Sequence, residues 1–145
     1  APRYEKLMDG ELDRFWGWSY RGFINKLSES IPDVSRKCIL DVATGTAVIP
    51  RALTESNGNV RQIIGLDFTY RMLQIGKQKI SSSGDGEKIR FLCASAMEMP
   101  LKENIFDIAI CGLATHHMNV HILLSEMKRV LKKEGYLAIA DAADL

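Results

Sequence analysis

Apolar and polar positions change period several times along this chain. From Tyr4 to Leu27 the apolar residues recur at helical spacing and are rich in aromatics, with Tyr4, Trp16, Trp18 and Tyr20 among them. Gly17 and Gly22 interrupt that pattern, and Pro32 in "SESIPD" ends it. Two patterns then alternate. "KCILDVA", "RQIIGLDF", "KIRFLCA", "FDIAICG" and "YLAIADA" are apolar on successive residues, as strands buried on both faces are. "AVIPRALTES", "YRMLQIGKQKISSS" and "VHILLSEMKRVLKKEG" follow the helical period.

These stretches carry finer expectations. Pro50 fits the first turn of its helix, where no N–H is needed. Met72, Ile75 and Ile80 predict the inward face of the second helix. Ile122, Leu123, Met127, Val130 and Leu131 predict the stripe of the third, with Gly135 as its C-cap. "SSGDGE" predicts a turn, and the basic residues of "MKRVLKK" complement the end of the third helix.

Strands alternating with helices predict an α/β fold, a mainly parallel sheet covered on both faces. Ligands of such sheets sit beyond the strands' carboxyl ends, where the strand order switches. We expect a helical segment over 1–32 and one α/β domain over 33–145, with no internal repeat.

Length and composition fit that expectation. The 145 residues suffice for one core, and 46% are hydrophobic and 26% charged. The net charge of +1 is mixed along the chain, without the basic stripe of a nucleic-acid groove. No apolar run approaches the roughly 20 residues of a membrane span, and "APRYEKLMDGE" lacks a signal-peptide core. Cys38, Cys93 and Cys111 each adjoin an apolar run, which predicts buried reduced thiols and a cytoplasmic protein.

The candidate chemistry begins in "DVATGTA". The strand ends at Asp41, and Ala43, Thr44, Gly45, Thr46 and Ala47 are all small, so a backbone there could approach a ligand closely. Asp41 could accept a hydrogen bond or face a cation. Asp67 ends the next strand 22 positions after Gly45, the place where an acid holds a ribose diol. Phe68 follows it and could cover an adenine face. A dinucleotide loop needs G-x-G-x-x-G, which is missing here, and Asp41 would repel a pyrophosphate. A nucleoside with a cationic end and no phosphate fits better, which points to S-adenosylmethionine.

The same segments resemble a known family. "ILDVATGTA", "IIGLDFTYRML", "IRFLCASAMEMPLKENIFDIAICGLATHHM" and "LSEMKRVLKKEGYLAIAD" resemble, in order and spacing, the motifs of class I S-adenosylmethionine-dependent methyltransferases. The branch is that of the ubiquinone and menaquinone C-methyltransferases. The resemblance implies a Rossmann-like three-layer α/β/α sandwich and methyl transfer to a small-molecule acceptor. It implies that Asp41, Ala43, Gly45 and Thr46 line the methionine and ribose side of the cofactor. Asp67 would bind the ribose hydroxyls, with Phe68 and Met72 flanking the adenine and Ala94, Ser95 and Ala96 framing its edge. Cys111 and Gly112 would lie under the methyl-bearing end, near Leu113. It also implies that the N-terminal segment is a lid, with Tyr4 and Tyr20 as contacts.

The sequence departs from the family at several points. Ala47 replaces the loop's last glycine, Ser95 replaces an aspartate that meets the adenine amino group, and Glu134 replaces a proline. A hydroxyl for a carboxylate predicts weaker cofactor binding. The family's sheet continues with one more helix and two strands, whereas this chain stops at Leu145. The expectation is an open apolar sheet edge that pairs with another chain, as in a homodimer. A fragment, a short chain completed by dimerisation and a non-catalytic cofactor binder all remain open.

"ATHHMNVH" supplies His116, His117 and His121. His117 and His121 have metal-chelating i, i+4 spacing but no further ligand nearby, so no metal is expected. His116 is the candidate general base.

Overall fold

The computed structural model describes residues 20–56, 59–81, 86–112 and 118–140. Five strands form one sheet, β1 (Cys38–Val42), β2 (Gln62–Asp67), β3 (Ile89–Cys93), β4 (Phe106–Gly112) and β5 (Leu131–Ala140). The helices are α1 (Tyr20–Ser30), α2 (Val48–Ser56), α3 (Tyr70–Ser81) and α4 (Val120–Val130). The sheet order is β3-β2-β1-β4-β5, and every pairing is parallel. The order reverses between β1 and β4, so the carboxyl ends of β1, β2 and β4 surround the place where such sheets bind ligands.

Alternation along the strands sorts the core into two layers. Ile39, Ile63, Ile89 and Ile108 form one row, packed with Leu27 of α1, Ile49 and Leu53 of α2 and Ile80 of α3. Leu40, Val42, Leu66, Ala109 and Cys111 face the other side and meet Leu123, Met127 and Val130 of α4. Each of those three α4 side chains is fully buried and contributes about 1.5–3 kcal/mol by leaving water.

From Cys38 on, the predicted strands and helices are present, and β4 has the predicted bounds; of the helical pattern expected from Tyr4, residues 4–19 lie outside the described residues. Three details differ. In α3 the buried residues are Leu73, Gly76 and Ile80, while Met72 and Ile75 are half-buried at the flanks. In α4 Ile122 is 44% exposed, because its position has rotated off the stripe carried by Leu123, Met127 and Val130.

The third difference is where α4 ends. Gly135 is not its C-cap: the helix stops at Val130, and Leu131 caps it in extended backbone while already pairing with Phe106 of β4. "LKKE" has good helix propensity, but the sheet competes for it. The Arg129 and Val130 carbonyls accept the N–H groups of Asn104 and Ile105, so the helix end is satisfied before Lys132. The next in-register pair is Tyr136 with Ile108, leaving Lys132–Gly135 bulged opposite Asp107. Lys132 therefore bonds the Asp107 carboxylate at 3.2 Å instead of extending the helix end.

The cysteines also differ from expectation. Cys111 is buried, Cys38 is half-buried and Cys93, at the end of β3, is exposed. The thiol of Cys93 donates to the Phe68 carbonyl at 3.6 Å. No described helix is long and apolar enough to cross a membrane.

Candidate functional site

The loop between β1 and α2 carries the site. Ala43, Gly45 and Ala47 have φ of 58°, 58° and 66°, so the backbone is left-handed at three alternating positions. That conformation favours glycine and costs an alanine roughly 1 kcal/mol or more. The loop thus has a glycine-rich shape with only one glycine, and the alanine at 47 fills the core as a fully buried methyl.

Two other glycines make room for this loop. A Cβ on Gly65 in β2 would stand 2.8 Å from Thr44 Cγ2 and 2.9 Å from its Oγ1. A Cβ on Gly76 in α3 would stand 3.1 Å from the Thr46 carbonyl carbon and oxygen. Gly65 falls in the family-like segment "IIGLDFTYRML", but the reason for either glycine does not show in the sequence, since a lone glycine in a strand or helix reads only as a weak former. Their positions opposite the small-residue loop are the signal that could have found them.

Asp41 is the penultimate residue of β1, which runs one residue past the expected end to Val42, and only 1% of its surface is exposed. Its Oδ2 accepts the Thr44 hydroxyl at 2.6 Å, whereas its Oδ1 is buried with no partner. Burial pushes its pKa up from 3.8 to about 7; the Thr44 bond opposes that rise, and the nearby Asp67 charge adds to it.

Asp67 lies at the end of β2 and is half-buried. Its Oδ2 accepts the Gly45 N–H and its Oδ1 the Thr69 N–H, each at 2.8 Å. A carboxylate has about four acceptor positions, so capacity for hydroxyl donors remains. The Asp67 carbonyl accepts the Ala94 N–H at 3.1 Å, which draws the end of β3 against the end of β2. Met72 Cε stands 3.6 Å from where a Cβ on Gly45 would be. Phe68 is 79% exposed beside it.

Asp41, Ala43, Gly45, Asp67, Phe68, Met72 and Ala94 are therefore gathered at the ends of β1, β2 and β3. Ser95 follows, and its Oγ accepts the Met97 N–H at 3.1 Å, so part of its acceptor capacity serves its own turn. Thr46, Ala96 and Cys111 are buried, and the Cys111 side chain packs in the α4-side core. Gly112 is half-buried at the end of β4. His116, His117 and Leu113 lie outside the described residues, as do Tyr4, Trp16 and Trp18; Tyr20 is the first residue of α1.

A sheet of order 3-2-1-4-5, a small-residue loop after β1 and an acid ending β2 define a doubly wound α/β domain with its candidate ligand end at the switch in strand order. Residues 40–139 match the family described as "Methyltransferase domain", and the chain belongs to that family. It is 37% identical over 105 residues to a demethylmenaquinone methyltransferase of Staphylococcus epidermidis, covering 72% of this chain and 42% of that protein. The chain spans less than half the length of such curated relatives. A putative methyltransferase from Bacillus halodurans superposes with a TM-score of 0.74 at 29% identity, over 83% of this chain and 51% of that one. A geranyl diphosphate C-methyltransferase from Streptomyces coelicolor superposes at 0.78 and 18% identity, over 94% and 50%, and shares the fold.

Proposed function

We propose that this chain binds S-adenosylmethionine and transfers its methyl group to a small-molecule acceptor. The observation that carries the reading is the bond between Asp67 Oδ2 and the Gly45 N–H. It fixes an acid with spare acceptor capacity beside a loop that exposes close backbone. The family match and the relatives' names support the same activity.

The residues present fit that cofactor. The unpartnered Oδ1 of Asp41 suits a cationic or amino group, and the absent side chain of Gly45 leaves a cradle bounded by Met72. Asp67 would accept the ribose hydroxyls, and Phe68 and Met72 would flank the adenine. Ala94, Ser95 and Ala96 would frame its edge. Ala43 and Thr46 would line the methionine and ribose side with Asp41 and Gly45, and Cys111 and Gly112 would floor the methyl end. When bound, the sulfonium supplies an activated methyl group for in-line displacement. The protein's own part is orientation and exclusion of water. A positive charge brought beside Asp41 would keep its carboxylate ionised at neutral pH. His116 remains the proposed base for acceptors that must lose a proton.

The remaining proposals concern setting. Residues 1–32 would act as a lid over the 33–145 domain; α1, within it, packs on α2 directly after the cofactor loop. β5 forms one edge of the described sheet, which supports pairing with a second copy. Three cysteines outside any disulfide fit the reducing cytoplasm.

Calorimetry tests the main reading. S-adenosylhomocysteine should bind and NAD should not, and Asp67→Ala should abolish binding. Tight NAD binding without adenosylhomocysteine binding would overturn it. Binding without methyl transfer to any acceptor would favour a non-catalytic cofactor-binding module.

A further inference from the structure

The segment from Ala94 to Ile105 joins β3 to β4 and contains the turn assigned above to the adenine edge. Within the turn, Met97 donates to Ser95 Oγ at 3.1 Å and Glu98 to the Ser95 carbonyl at 3.4 Å. These are short local bonds, and they do not by themselves place the turn relative to the sheet. On one side, Ala94 is anchored to the Asp67 carbonyl. On the other side, the anchors come from α4.

Glu126 Oε1 accepts the Met99 N–H at 2.7 Å. Arg129 Nη2 donates to the Met99 carbonyl at 3.0 Å, and Nη1 donates to the Leu101 carbonyl at 2.7 Å. The two side chains also hold each other, Nε to Oε2 at 2.6 Å and Nη2 to Oε1 at 3.1 Å. Both polar backbone groups of Met99 are thus taken by one helical turn of α4, while the Met99 side chain is buried beneath. The Arg129 and Glu126 side chains are 35% and 16% exposed, so the ion pair as such adds little stability. What it adds is geometry. The guanidinium makes four N–H donations in one plane here, which the three donors of an ammonium cannot reproduce.

We propose that Glu126 and Arg129 are positioning residues for the turn at Ser95–Glu98, and through it set discrimination at the adenine amino edge. The proposal rests on the nucleoside reading of the site. The pair touches neither cofactor nor acceptor. It fixes Met99, three residues beyond Ala96, so that the turn is held at both ends.

Two measurements test it. The first needs no ligand: amide exchange at Met97, Glu98 and Met99 should quicken about tenfold or more in Arg129→Lys. Exchange in the core strand β1 should be unchanged. The second compares S-adenosylhomocysteine with S-inosylhomocysteine, which carries an oxo group in place of the adenine amino group. The wild type should prefer the adenine form, and Arg129→Lys should reduce the preference about tenfold. Glu126→Gln should act in the same direction but less, because its amide oxygen can still accept the Met99 N–H. Glu126→Gln also serves as the milder variant if Arg129→Lys folds poorly. Unchanged exchange in both variants would overturn the clamp. Quickened exchange with an unchanged ligand ratio would make the pair structural only and overturn its role in discrimination. If exchange quickens but the wild type binds neither nucleoside, the clamp stands and the nucleoside reading fails.

Discussion

The Thr44 hydroxyl donates to the Asp41 carboxylate at 2.6 Å, and it reaches that position because Gly65 on the adjoining strand has no side chain. Asp41 and Gly65 are register partners, so the space over Gly65 lies directly beside the carboxylate. A methyl there would collide with Thr44 itself. Gly65→Ala should therefore destabilise the fold by about 1–3 kcal/mol in denaturant melts. It should also weaken S-adenosylhomocysteine binding. Thr44→Val removes the hydroxyl without the collision, and it should reproduce the binding loss.

The same carboxylate predicts a pH dependence. Asp41 holds its proton up to about pH 7 when folded, against 3.8 ordinarily. Between these values the folded state binds more protons than the unfolded state, so stability falls as pH rises. The fall should begin near pH 4, level off above about pH 7 and reach up to roughly 4 kcal/mol. Urea melts from pH 4 to 8 should show it. Asp41→Asn should remove the slope while impairing cofactor binding.

Ala43 is half-buried with φ of 58°. Ala43→Gly relieves that strain and loses little packing. It should raise stability by about 1 kcal/mol, and Ala43→Val should lower it by at least as much. Thermal melts of the pair are the check. Ala47→Gly should gain less, since a fully buried methyl worth about 0.8 kcal/mol is lost.

Gly135 offers a control away from the ligand end. A Cβ there would meet Leu131 Cδ2 at 2.8 Å, the Lys132 carbonyl at 3.0 Å and the Asp107 carbonyl at 3.2 Å. Gly135→Ala should cost about 1–3 kcal/mol in denaturant melts and leave the affinity for S-adenosylhomocysteine unchanged.

Much of this was legible in the sequence, and for definite reasons. β1, β2 and β4 are apolar on successive residues because both faces are covered. Asp41 and Asp67 stand out because an acid closing such a run has to be used or solvated. What was hidden depends on partners far along the chain. Alanine does not advertise a left-handed backbone, so Ala47 reads as a lost glycine and Ala43 as merely small, although the loop keeps its shape. Gly65 and Gly76 have meaning only opposite Thr44 and Thr46. The true end of α4 is decided by Asn104, Ile105 and Phe106, against the local preference of Lys132 and Lys133. Arg129 resembled one more cation at a helix end, while its guanidinium in fact crosses to the Met99 and Leu101 carbonyls.

The junction of α4 with β5 also sets where the chain can change length. Leu131 is at once the helix cap and a paired strand residue, so an added residue there would break either the cap or the pairing with Phe106. Lys132, Lys133 and Glu134 are exposed in a stretch already out of register with its neighbour. An epitope or fluorophore-labelling peptide should be grafted between Lys133 and Glu134, where the lengthened chain can leave both the helix cap and the Tyr136 pairing intact.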